Sequence, residues 1–238
     1  MKGVIISLLL LLSFVVAQDY DSVFVKAGSI QSASGIWIPK LKSHKVKPGL
    51  ILWFHGGMQS GNCTKGLQAG KALFPWIAGR DMVVASASVC RDQHWLTPGG
   101  LDAIESLIDS VRKHVLIDTN RIELVGVSDG GFGVMNYSLN GRLPIAHRTL
   151  ISTFAGAWVA EDAISQIRPR VSNGTWTFLQ GGHDTFFPAT RTRPWMNSFC
   201  AQVPHCTIYW EDAGEHDMGW WTAKQPQLLS KVLNPTHK

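Results

Sequence analysis

The stretch Arg121–Met135, RIELVGVSDGGFGVM, decides how the rest of the chain is read. Ile122, Leu124 and Val125 suit a buried strand, the glycines supply a tight turn, and Val134, Met135 and Leu139 continue as an amphipathic helix. Strand, turn and helix together form the setting in which Gly126-x-Ser128-x-Gly130 carries chemical meaning. The serine is raised on a strained turn, and glycine on either side lets strand and helix approach closely. Ser128 is therefore the candidate nucleophile. The pattern alone arises by chance in about one chain of this length in ten, so the reading depends on partners elsewhere.

A serine hydroxyl is too weakly acidic to attack unaided. A histidine must accept its proton, and a carboxylate must orient that histidine. The chain has nine histidines. Where the nucleophile stands on such a turn, the partners follow it in the order acid, then histidine. The strand Trp176–Leu179 breaks into Gln180-Gly181-Gly182-His183-Asp184, and Asp184 is the candidate acid. After the strand Thr207–Trp210, His216 lies in a loop between Gly214 and Gly219, from which it can reach back over the sheet edge to Ser128. His183 is the rival, but side chains adjacent in a turn diverge, so Asp184 is poorly placed to orient it; His183 is expected to line the site. His147 and His205 have no acid placed to serve them, and Glu211, Asp212 and Asp217 are too near His216 in sequence to be favoured.

Upstream, Leu50–Phe54 runs directly into His55-Gly56-Gly57-Met58-Gln59-Ser60-Gly61. A glycine turn after an early strand can aim a backbone N–H at the oxygen that becomes negative during acyl transfer. Gly57 or Met58 would supply one such donor, and the N–H of Asp129 the other. The remaining strands read as a hairpin, Ser22–Ala27 with Ser34–Ile38, followed by Met82–Ala87 and Thr149–Phe154. Helical patterns separate most of the strands, the clearest being Leu101–Val115, where Leu101, Ile104, Leu107, Ile108 and Val111 share one face. The expected fold class is α/β: a mostly parallel sheet with helices on both faces.

These motifs resemble the α/β-hydrolase superfamily over about residues 50–221. His114–Ile122 leading into the serine motif, together with the His55–Gly61 turn, looks like the secreted esterase branch that contains polyhydroxybutyrate depolymerases and feruloyl or acetylxylan esterases. The resemblance implies hydrolysis of carboxylic esters through a Ser128, Asp184 and His216 triad, with no cofactor. One departure is Asp129, a charge where that branch carries an uncharged residue. It suits a helix N-terminus but would repel an anionic substrate. The same triad can cleave amides, and a catalytically silent binding protein on this fold is a further reading.

Lys2 followed by the apolar run Val4–Val16, with a small-residue site at Ala17, reads as a signal peptide over residues 1–17. It leaves residues 18–238 as a single catalytic domain with no stable membrane anchor, secreted or periplasmic. The formal net charge is +5. The small basic cluster Lys40, Lys42, Lys45 and Lys47 reads as a solvated loop, and no nucleic-acid motif accompanies it. In an oxidising compartment the four cysteines are expected as disulfides, preferably Cys63 with Cys90 and Cys200 with Cys206. No paired Cys-x-x-Cys spacing suggests a metal.

Lids in this architecture grow between the strands ending near Phe154 and starting at Trp176. That interval leaves room for one short helix around residues 161–167, so the site is expected to be open to bulky, polysaccharide-linked or polyester substrates. Trp53, Trp158, Trp176 and Trp210 read as core. Trp95, Trp220 and Trp221 fall in loops or near His216, where they could form a stacking face for substrate. Asn62, Asn136 and Asn173 fit the glycosylation pattern, Asn136 poorly because it lies in the helix behind the serine.

Overall fold

The computed structural model describes residues 19–40, 46–57, 60–68 and 72–234. The segment 1–17 read from the sequence as a signal peptide, Met58, Lys42 and Lys45 lie outside them. Eight strands form one sheet: β1 (Tyr20–Ala27), β2 (Ser32–Pro39), β3 (Gly49–Phe54), β4 (Met82–Ser86), β5 (Ile122–Val127), β6 (His147–Ile151), β7 (Thr175–Gly181) and β8 (Cys206–Glu211). Their order is β1-β2-β4-β3-β5-β6-β7-β8. The β1–β2 hairpin joins antiparallel, and every pairing from β4 to β8 is parallel. This is the α/β-hydrolase fold expected from the sequence.

Strand β3 shows why the sheet is covered twice. Leu50, Leu52 and Phe54 enter one apolar cluster, while Ile51 and Trp53 enter the other. Successive side chains of a strand point to opposite faces, so a wholly apolar strand needs packing on both. On the first face lie α1 (Pro98–His114) and α2 (Gly130–Asn140), followed by α3 (Ile164–Val171) and α4 (Ala189–Gln202). The second face is closed by α5 (Met218–Lys224) and α6 (Pro226–Leu233) through Trp221, Leu229, Val232 and Leu233. Helix α1 starts where the chemistry of its first turn allows. Thr97 accepts the Gly100 N–H on its hydroxyl at 3.2 Å, and Pro98 occupies a position whose N–H would go unused.

Several side chains depart from expectation. Helix α2 is not amphipathic at its start, because Gly130 to Tyr137 are all buried under the sheet and its neighbours. Arg148, although charged, is 2% exposed. Its guanidinium donates to Ser138 Oγ at 2.8 Å and the Asn173 carbonyl at 2.7 Å, and lies 4.7 Å from the Trp176 ring. With those contacts made, β6 can begin at His147, two residues before the apolar run alone suggests. Trp158 is not core but 38% exposed, following a one-turn helix on the outside of the sheet. Trp210 is only half-buried because β8 is the last strand; its indole N–H donates to Asp212 at 2.9 Å and Arg193 covers its ring.

The disulfides are Cys63–Cys90 and Cys200–Cys206. Among the described residues no helix is long and apolar enough to cross a membrane. Arg80 and Glu123 form a buried ion pair, and Arg80 also donates to the Leu233 carbonyl at 2.7 Å, tying β5 to the end of α6.

Candidate active site

In an open parallel sheet, ligands bind beyond the carboxyl ends of strands where connections diverge to opposite sides. Here β3 connects to β4 on one side, while β5 lies on its other side. The turn after β3 and the turn after β5 therefore meet. Ser128 sits in the second turn at φ 55°, a left-handed backbone that costs a non-glycine residue roughly 1–3 kcal/mol and persists only where its surroundings hold it. The closeness is visible at Gly126, where a side chain would stand 2.5 Å from the Gly130 carbonyl oxygen.

Ser128 Oγ lies 2.8 Å from His216 Nε2. His216 Nδ1 lies 2.9 Å from Asp184 Oδ2. Because a carboxylate can only accept, the proton belongs on Nδ1, which leaves Nε2 to accept from the serine hydroxyl. Asp184 is 3% exposed and fully used. Its Oδ2 also accepts the Gln180 amide at 2.9 Å, and its Oδ1 accepts the N–H groups of Phe186 and Phe187 at 2.9 Å each. Burial alone would raise its pKa, but the hydrogen bonds from His216, Phe187 and Gln180 outweigh it and hold the carboxyl below its ordinary value. Three residues of distant sequence are thus joined in one hydrogen-bonded path.

A mostly apolar cleft of about 700 Å³ opens onto Ser128 and His216, lined also by Gly57, Val127, Asp129, Phe186, Phe187, Asp217 and Met218. Phe186 and Phe187 hold their rings 4.7 and 5.3 Å from the imidazole. Sequence reasoning missed both, although two phenylalanines two and three residues past the acid, in a turn, were a signal. Of the aromatic residues expected to face substrate, Trp95 does not. It is 2% exposed, donates its indole N–H to the His55 carbonyl at 3.0 Å and packs on the His55 and Phe54 rings. A loop residue becomes core here because α1 and the turn after β3 close over it. Trp221 is likewise buried, donating to Ser152 Oγ at 2.8 Å. Trp220 is half-buried with its ring edge-on to Trp221, and the exposed His183 donates its N–H to the Gly214 carbonyl at 2.9 Å; neither lines the cleft.

The turn after β3 is held from beneath. His55 is 6% exposed, with Nδ1 2.9 Å from the Gly56 carbonyl oxygen, while Nε2 accepts the Val89 N–H at 3.1 Å. Burial pushes its pKa down from 6.5 to about 4, so the ring is neutral. Gly57 lines the cleft at φ +74°. Asp129 lines it as the residue preceding α2, without a side-chain capping bond. Asn136 is buried and donates to the Trp95 carbonyl at 2.6 Å, so it offers nothing to a glycan. Among the described residues no cluster of histidine, cysteine or carboxylate side chains could hold a metal ion.

No protein-family model and no curated protein matches the chain. Solved structures do. A ferulic acid esterase superposes with a TM-score of 0.66 at 14% identity, covering 90% of this chain and 97% of its own. An S-formylglutathione hydrolase of Staphylococcus aureus gives 0.66 at 14% identity, with coverage of 90% and 98%. An α/β hydrolase from a deep-sea metagenome of the Medee basin gives 0.65 at 12%, with coverage of 91% and 99%. At such identities the likeness is one of fold, and the fold is that of the α/β-hydrolases.

Proposed function

We propose that this chain is a serine hydrolase cleaving carboxylic esters through an acyl-enzyme, with Ser128 as nucleophile, His216 as general base and Asp184 as the group that orients it. The observation that carries the reading is the unbroken path from Ser128 Oγ through His216 to a buried, ionised Asp184. Ser128 attacks the ester carbonyl carbon while its proton passes to His216 Nε2. The carbonyl oxygen takes up negative charge beside the turn at Gly57 and the start of α2 at Asp129. The intermediate collapses as His216 protonates the departing alcohol, and the acyl group stays on Ser128. Water, deprotonated by His216, then releases the acid and restores the serine. Nothing in these steps calls for a cofactor.

The ester reading draws on the solved structures that share the fold, among them a ferulic acid esterase and an S-formylglutathione hydrolase. The cleft supports a substrate class. No residue of the β6–β7 connection lines it, and Phe186, 74% exposed, offers an apolar face at its rim. That suits neutral, bulky or polymer-linked esters such as feruloylated or acetylated polysaccharide or polyester, and Asp129 disfavours anions. Two disulfides and the apolar leader support export before the chain acts.

A fluorophosphonate should label the wild-type protein and not Ser128→Ala, and p-nitrophenyl esters should be hydrolysed in preference to anilides. An unlabelled wild type would sink the hydrolase reading. Labelling with hydrolysis of anilides alone would replace the esterase by an amidase. Feruloylated, acetylated and polyester substrates assayed side by side then identify the acyl group.

A further inference from the structure

We infer that Lys65 is a positioning residue for the turn that receives the oxyanion, an assignment that rests on the ester-hydrolase reading. Its ammonium donates to the Gly56 carbonyl at 3.1 Å and the Gly57 carbonyl at 3.0 Å. The Gly56 oxygen also receives the His55 Nδ1–H, so that carbonyl is held from two directions. In a trans peptide the C=O and the following N–H point oppositely, and the chain contains no cis bond among the described residues. Fixing the Gly56 oxygen on Lys65 and His55 therefore turns the Gly57 N–H to the other side. Gly57 lines the cleft with Ser128 and Lys65 does not. Gly56 lies against the nucleophile, since a side chain there would stand 2.9 Å from Ser128 Cβ. Gly57 is one of the two residues that the sequence left open as donor, and Lys65 orients its N–H through the Gly56 carbonyl.

The ammonium also acts on the peptide it holds. A charge-assisted hydrogen bond to a carbonyl is roughly twice as strong as a neutral one and polarises the amide, making its N–H a better donor. Lys65 is itself tied down. It opens the one-turn helix Lys65–Leu67, two residues after Cys63, whose disulfide partner Cys90 follows the Val89 bonded to His55. The turn at Gly57, the lysine and the imidazole thus form one assembly closed by a covalent bond. Gly57 stands at φ +74°, a backbone that favours glycine, and a side chain there would also push the Lys65 ammonium off the carbonyls it holds.

The test compares Lys65→Met and Lys65→Arg with wild type on a p-nitrophenyl ester and its thiono analogue, in which C=S replaces the reacting C=O. An oxyanion donor favours oxygen over the larger, more weakly accepting sulfur. Lys65→Met should lower kcat by about 10- to 100-fold, less than the loss of a donor outright, with KM within about twofold. It should also shrink the oxo-to-thiono rate ratio by about tenfold, while Lys65→Arg keeps most of both. Wild-type kcat in Lys65→Met overturns the assignment. So does a lower kcat with an unchanged oxo-to-thiono ratio and a reduced melting temperature, which would mark a merely structural contact. If wild type neither labels with fluorophosphonate nor hydrolyses any ester, the esterase reading fails as well; labelling with normal turnover in Lys65→Met removes the Lys65 assignment alone.

Discussion

Replacing His55 by glutamine should flatten the acid side of the stability profile. In the folded chain the His55 ring is neutral, donating from Nδ1 to the Gly56 carbonyl and accepting the Val89 N–H on Nε2. A second proton would put two donors face to face at Val89. Burial is the main cause of its pKa falling to about 4, with the nearby Lys65 charge acting in the same direction. The unfolded chain binds the proton near pH 6.5, and the folded one waits until about 4. Between those values the unfolded state holds more protons, so stability rises with pH. The contribution is complete above pH 6.5 and is lost as pH falls toward 4. At about 1.4 kcal/mol per pH unit, the window is worth about 3 kcal/mol. Glutamine can make the same two hydrogen bonds and does not titrate. Urea unfolding at intervals from pH 7 to 4 should show wild type losing about 3 kcal/mol more than His55→Gln across that range, since other titrating groups cancel between the two. Parallel profiles would refute the neutral, buried imidazole.

Asp184→Asn keeps the shape of the site but presents Nδ1 of His216 with the wrong partner; kcat should fall about 10⁴-fold with KM little changed in steady-state ester hydrolysis. Phe186→Ala should lower kcat/KM about three- to tenfold for esters of large or aromatic acids and leave acetyl esters unaffected. Equal effects on both would place Phe186 outside the substrate's path. Arg80→Met strands the buried Glu123 carboxylate and should destabilise the fold by about 3–5 kcal/mol in denaturant titrations, while Arg80→Met with Glu123→Leu recovers most of the loss.

The serine turn was legible because its requirements are steric. Gly126 admits no side chain beside the Gly130 carbonyl, and a constraint that strict leaves its mark in the sequence. The buried strands were legible for a related reason: a strand packed on both faces must be apolar throughout, as β3 is. What stayed hidden were contacts between separate loops. Nothing about Trp95 in the sequence says that α1 will close over it, and nothing about Arg148 says that Ser138, Asn173 and Trp176 will satisfy it below the surface. Nothing in the sequence around Lys65 says that the fold will set it against two carbonyl groups. Trp158 shows the converse, an apolar residue beside a strand that finds no second layer to cover it.

The connection between β6 and β7 consists of two one-turn helices and the eight-residue α3, and it settles onto the helices of the sheet's own face rather than over Ser128. Among the described residues that connection leaves Ser128 uncovered, so on the proposed reading no hinge has to open before each turnover and a long chain need not offer its end. If the substrate is the polymer-linked ester proposed above, a bond midway along it reaches Ser128 as readily as one at its end, and the first products of digestion are fragments of intermediate size rather than single units released from a terminus.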